Sequence, residues 1–137
     1  MTVCSQQTQV FLYTDGSCKG NPGPGGYAAI LQSGAHEKTL TGSEAHSTNN
    51  RMELQAVIAG LAALKRCCQV TVVTDSQYVA TMLHGGKARA NRDLVQQVRA
   101  LAAGHHLNVQ VVAGHSGHAL NERCDALAQE AARQQAV

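Results

Sequence analysis

Two short apolar runs, QVFLYT at 9–14 and QVTVVT at 69–74, end alike: a threonine, then an aspartate, Asp15 or Asp75. Their length and their Val, Phe, Tyr and Thr content predict strands. Between them lies STNNRMELQAVIAGLAALKRC, rich in helix formers, with Leu54, Val57, Ile58, Leu61 and Leu64 spaced i, i+3, i+4, i+7 and i+10. That spacing draws one apolar stripe along a helix, and Ser47, Thr48 and Asn49 are candidate caps for its start. A strand, a helix and a second strand predict a crossover with the two strands as parallel neighbours. Ligands in open α/β sheets gather beyond the carboxyl ends of such strands. Both aspartates are therefore expected at one end of one sheet.

The rest of the chain fills in around that unit. GYAAILQ (26–32) and EKTLTGSE (37–44) read as strands joined by the hairpin signal SGAH. From Asp15 to Gly26 the chain reads as a loop, holding five of the thirteen glycines and both prolines. DSQYVATML opens a helix, HGGKARAN breaks it, and RDLVQQVRALAAG is a further helix with a glycine stop. HLNVQVVA is a last strand, GHSGHALN a loop, and NERCDALAQEAARQQ a closing helix with Cys124, Leu127, Ala128 and Ala131 on one side. The order β-β-β-α-β-α-α-β-α predicts an α/β domain with antiparallel strands first. At 137 residues it is expected to be one domain, 1–137, with a core large enough to need no staples.

Glu53 lies about 100° from Leu54 around its helix, at the edge of the apolar stripe. Asp125 flanks the apolar side of the last helix. With Asp15 and Asp75 they make a candidate set of four carboxylates. Each alone has an ordinary structural reading: Asp15 in a turn before glycine, Asp75 as a helix cap, Glu53 and Asp125 as first-turn dipole partners. Those readings leave the repeated Thr-Asp unexplained. Four carboxylates at one spot repel one another unless cations neutralise them. Oxygen ligands without His or Cys favour Mg²⁺ or Mn²⁺, and two ions about 4 Å apart can clamp a phosphodiester.

Charge points the same way. Setting those four aside leaves five acids against eleven Lys and Arg, a surplus of six positive charges. A small acidic spot on a basic body suits a polyanion held near metal ions. No run approaches the roughly 18 apolar residues of a membrane helix, and MTVCSQQTQ lacks the pattern of a secretion signal. A cytoplasmic monomer with its five cysteines (4, 18, 67, 68, 124) reduced is therefore expected.

The segments FLYTDGSCKGNPGPGGYAAIL, STNNRMELQAVIAGLAALK, VTDSQYV and GHSGHALNERCDALA resemble the signature segments of type 1 ribonuclease H, in order and spacing, from about residue 8 to 133. The bacterial form is the nearest likeness. The resemblance implies a ribonuclease H-like fold, a five-stranded mixed sheet flanked by helices. It implies an endonuclease that hydrolyses the RNA strand of RNA–DNA hybrids with two Mg²⁺ ions, leaving 5′-phosphate and 3′-hydroxyl ends. By position Asp15 would bridge both metals, with Glu53, Asp75 and Asp125 completing the site. His115 corresponds to the family's mobile loop histidine, assigned to proton transfer or product release, whereas His118 is expected to be a structural loop residue. Asn21, Asn49, Asn50 and Gln77 match positions that contact substrate through uncharged amides, and Thr48 a position that grips a DNA-strand phosphate.

One departure stands out. Bacterial relatives often carry a basic, tryptophan-containing protrusion after the Asp75 helix, but here the stretch is LHGGKARANRDL and the chain has no tryptophan. Weak hybrid binding is expected, with Lys87, Arg89 and Arg92 as residual phosphate contacts.

Overall fold

The computed structural model describes residues 8–113 and 118–136. Its elements run β1 (Gln9–Cys18), β2 (Gly23–Ser33), β3 (His36–Ser47), α1 (Asn49–Ala62), β4 (Gln69–Thr74), α2 (Gln77–Leu83), α3 (Arg92–Ala102), β5 (His106–Val111) and α4 (Ala119–Ala136). The five strands form one sheet in the order β3-β2-β1-β4-β5. β1 pairs antiparallel with β2 and parallel with β4, which in turn runs parallel to β5. The mixed five-stranded sheet is thus as expected, and so is the parallel β1–β4 pair on which the site depends.

Side chains alternate between the two faces of a strand. Val10 and Leu12 of β1 join Val70 and Val72 of β4 in the larger core cluster, which α1, α2 and α3 cover. Tyr13 pairs with Ile30 and Asp15 with Ala28 on the other face, where Ala28 and Ile30 pack against Cys124 and Ala128 of α4. Helix α1 is buried on more than the stripe read from its leucines. Met52, Glu53, Ala56 and Gly60 are buried together with Leu54, Val57 and Leu61, because the helix lies deep between the sheet and α3. Ile58 and Leu64 pack only partly.

The reading of 15–26 as a loop is corrected. Gly16, Ser17 and Cys18 pair with Tyr27, Gly26 and Gly25, so the hairpin continues well past Asp15 and only residues 19–22 turn. The Lys19 N–H closes that turn on the Pro24 carbonyl at 2.8 Å, across a cis Asn21–Pro22 bond. Two of the glycines serve packing. A Cβ at Gly16 would sit 2.5–2.8 Å from Met52 and Glu53 of α1, and one at Gly26 would sit 2.4 Å from the Ala128 carbonyl oxygen and Ala132 nitrogen of α4. Each glycine removes a side chain so that a helix can lie directly on the strand.

The cysteines also depart from expectation: Cys18, Cys68 and Cys124 are free, but Cys67 is disulfide-bonded. The all-reduced reading rests on composition and spacing, which do not tell the half-buried Cys67 from its buried neighbour Cys68. No helix among the described residues is long and apolar enough to cross a membrane.

The clash at Gly26 is with helix backbone, so Gly26→Ala is expected to cost about 1–3 kcal/mol in urea unfolding. Gly104→Ala, whose new methyl would come no nearer than 3.5 Å to the Leu101 carbonyl oxygen, should stay within about 0.5 kcal/mol. Equal losses at the two positions would contradict the close-approach account.

Candidate active site

Asp15 lies on β1 within the antiparallel hairpin, and Asp75 follows the last residue of β4. The parallel register pairs Tyr13 with Val73, so two residues further on each strand the two aspartates stand side by side. Asp75 does not cap α2. Ser76 does, accepting the Val79 N–H at 3.1 Å, while the Thr74 hydroxyl accepts the Ser76 N–H at 3.0 Å. Those two bonds fix the bend from which Asp75 projects. Thr74 and Ser76 are legible in the sequence as turn formers, but their part in aiming Asp75 shows only in the folded chain.

Glu53 approaches from α1, which covers the face opposite Asp15. The missing side chain at Gly16 leaves the opening through which it reaches. Single oxygens of Asp15, Glu53 and Asp75 lie within 4.8 Å of one another, with Asp15 and Glu53 buried and Asp75 exposed. Asp125, in the second turn of α4, stands outside that trio but acts directly on Asp15. Its helix is held against β1 by the buried Cys124, whose thiol donates to the Tyr13 carbonyl at 3.3 Å. The structure thus brings together all four carboxylates picked from the sequence, three tightly and the fourth alongside.

Electrostatics at the trio are unfavourable without a counter-charge. Burial pushes the Asp15 carboxyl up to about 7; Asp75 and Asp125 push the same way, against stabilising contacts from Glu53 and the Gly16 N–H. Burial also raises Glu53 well above the ordinary glutamate range, with Asp15 and Asp75 adding to it. Glu53 Oε2 is buried without a hydrogen-bond partner. An orphaned carboxylate oxygen facing two further acids is a donor set for a hard divalent cation. The Cys124 thiol is raised to about 12, chiefly by burial.

The family model for RNase H matches residues 7–133. A ribonuclease H of Pelobacter propionicus is 48% identical over 136 residues, covering 89% of this chain and 83% of its own length. The chain belongs to the ribonuclease H family. The N-terminal RNase H domain of a Mycobacterium tuberculosis protein, solved as a fusion with maltose-binding protein, superposes with a TM-score of 0.82 at 28% identity, covering 95% of this chain and 97% of that one. The fold is shared further still. LC11-RNase H1, solved in complex with an RNA/DNA hybrid, gives a TM-score of 0.69 at 21% identity over 91% of this chain and 97% of its own.

In this ribonuclease H-family chain the amides expected to meet substrate gather at the start of α1. Asn21, at the tip of the β1–β2 turn, accepts the Asn49 N–H at 3.0 Å, and Asn49 and Asn50 are exposed beside it. Thr48 caps α1 by accepting the Arg51 N–H at 3.2 Å, which leaves its O–H free to donate outward. Gln77 opens α2, exposed, two residues beyond Asp75. His115 lies outside the described residues; His118 is exposed, and its carbonyl accepts the Glu122 N–H of α4 at 2.9 Å.

One network has no counterpart in the sequence reading. Arg51 forms two hydrogen bonds with Asp93, 3.0 and 2.8 Å, and a third to Asn91 at 3.3 Å, and Asn91 donates to the Tyr78 hydroxyl at 3.1 Å. It ties the start of α1 to α2 and to the start of α3. The guanidinium holds Asp93 down at about 2. Arg51 and Asp93 are 42 residues apart in the chain, a separation that no local pattern reveals.

The raised carboxyls set the direction of a pH effect. The folded state holds protons between about pH 4 and pH 7 that the unfolded chain has released, so stability falls as pH rises through that window. Metal-free protein is expected to melt lower at pH 8 than at pH 5. Asp15→Asn should recover on the order of 2–4 kcal/mol at pH 8 and little at pH 4. Thermal melts in chelator across that range test it, and a variant no more stable than the native chain at pH 8 would refute it.

Proposed function

We propose that this chain is an endonuclease that hydrolyses the RNA strand of RNA–DNA hybrids with two Mg²⁺ ions, for which Mn²⁺ could substitute, leaving 5′-phosphate and 3′-hydroxyl ends. The observation that carries the reading is the trio of oxygen ligands within 4.8 Å, where burial and the neighbouring acids raise the Asp15 and Glu53 carboxyls. Family membership supports the same activity. The hybrid bound by LC11-RNase H1 is consistent with the substrate.

Asp15, with an environment of acids on both sides, is the residue to share both ions. Glu53 and Asp75, grouped with it, and Asp125 alongside would complete the site. When bound, the ions supply an activated water and stabilise the leaving oxygen. The chain's own work is to hold four carboxylates with little room to move. Asn21, Asn49, Asn50 and Gln77 would read ribose hydroxyls and base edges across the hybrid's minor groove. Thr48 would donate to a DNA-strand phosphate. His115, between Gly114 and Gly117 in the sequence, would pass a proton or help release product. A single domain working as a monomer is sufficient for this scheme.

Lys87 and Arg89 flank Ala88 in the break between α2 and α3, where both cations are exposed. Arg99 ties that break down, donating to the Met82 carbonyl at 2.9 Å and to the Gly86 carbonyl. With Arg92 they are the basic group available where relatives carry a protrusion. The break itself is short and held from below, so it offers charges without a stacking platform.

Native protein with Mg²⁺ is expected to cleave a labelled RNA–DNA hybrid in its RNA strand, and Asp15→Asn to slow cleavage at least about a hundredfold. Uncut hybrid from the native chain at low salt, with Mn²⁺ also tried, would overturn the nuclease reading.

Binding supplies a separate check. Alanine at Lys87, Arg89 and Arg92 together should weaken hybrid binding and flatten the slope of log affinity against log salt by roughly 1 for each phosphate the protein no longer neutralises. An unchanged slope would remove these residues from the interface.

A further inference from the structure

Asp125 differs from the other three carboxylates in how it is held. Its backbone is fixed: Cys124 bonds to the Tyr13 carbonyl beside it, and Ala128 packs fully buried against the sheet one turn on. What remains free is the rotation of the side chain. Asp125 is half-buried and its side chain lies against that of Asp15. One turn along α4, Gln129 donates its side-chain amide to Asp125 Oδ2 at 3.0 Å.

The choice of donor matters. A lysine or arginine in that place would also hold the carboxylate, but its charge would offset the negative charge a cation needs. A neutral amide orients without neutralising. It also occupies one oxygen only, leaving Oδ1 for another partner. Outer partners of this sort set ligand direction and strongly affect metal affinity.

Resting on the metal-dependent reading above, we propose that Gln129 is a positioning residue for a cation shared by Asp15 and Asp125. Its amide locks the Asp125 carboxylate so that one oxygen is held by α4 and the other is presented toward Asp15. Gln129 touches neither substrate nor reacting atoms in this scheme. Its effect is confined to the affinity of the site for its ion.

The same helix contains a matched control. Gln134 donates to Glu130 at 3.4 Å with the same four-residue spacing, on the exposed surface. Full-length native chain, Gln129→Leu, Gln129→Met and Gln134→Leu would be compared in two ways: Mn²⁺ titration calorimetry without nucleic acid, and the Mg²⁺ dependence of hybrid cleavage. Both Gln129 variants are expected to weaken Mn²⁺ binding roughly tenfold and to raise the Mg²⁺ needed for half-maximal cleavage by a similar factor. Their cleavage rate should return to the native value as Mg²⁺ is increased, and their melting temperatures should match that of Gln134→Leu.

Native-like metal curves in Gln129→Leu and Gln129→Met would overturn the inference while leaving the nuclease reading in place. A rate deficit that added metal does not recover, with a melting temperature below that of Gln134→Leu, would also overturn it and make Gln129 a structural residue. A native chain that neither binds Mn²⁺ nor cuts hybrid would overturn both readings.

Discussion

Everything at this site depends on two helices lying closer to one β-hairpin than side chains would normally permit. Gly16 gives α1 its clearance on one face and Gly26 gives α4 its clearance on the other. The carboxylates come to the hairpin on those helices, Glu53 on α1 and Asp125 on α4. β4, pulled alongside β1 by parallel pairing, brings Asp75. With either helix held off by the thickness of a methyl group, Glu53 or Asp125 would stand farther from Asp15. Backbone packing therefore determines how tightly like charges are pressed together.

That compression has an energetic cost which the rest of the fold has to carry. The Asp15 carboxyl sits near 7, chiefly because burial favours its neutral form, and Glu53 is pushed in the same direction. Near neutral pH the site stores repulsion, held in place by apolar clusters on both faces of the sheet. A bound cation would relieve it, so under the proposed mechanism activity and stability would both depend on ion binding.

Much of this is legible in the sequence because it is written in local patterns. The strand ending at Thr74 and the helix cap at Thr48 appear where their residues put them. Asp15 and Asp75 are legible as a pair because the same Thr-Asp recurs on two strands that run parallel. The hairpin eludes the sequence for an equally physical reason: glycines and prolines signal turns when neighbours are unknown, and only the paired strand and overlying helices reveal Gly16, Gly25 and Gly26 as strand residues. The buried second side of α1 is hidden likewise, since Met52, Ala56 and Gly60 say nothing of depth until α3 is placed over them. Gln129 lies in plain view, four residues after Asp125, but a glutamine on an alanine-rich helix carries no signal without knowledge of what its neighbour does.

The bridge from Arg51 to Asp93 and Asn91 has a mechanical meaning. It fastens the first turns of α1 to the start of α3, so those turns move with the helix layer as one body. Thr48 and Glu53 sit five residues apart along that fastened segment, an axial separation of about 7.5 Å at 1.5 Å per residue. In the proposed complex, one end would hold the strand that is spared and the other the strand that is cut. The spacing between the two is then a fixed length engraved in a helix, a ruler that no loop motion can stretch.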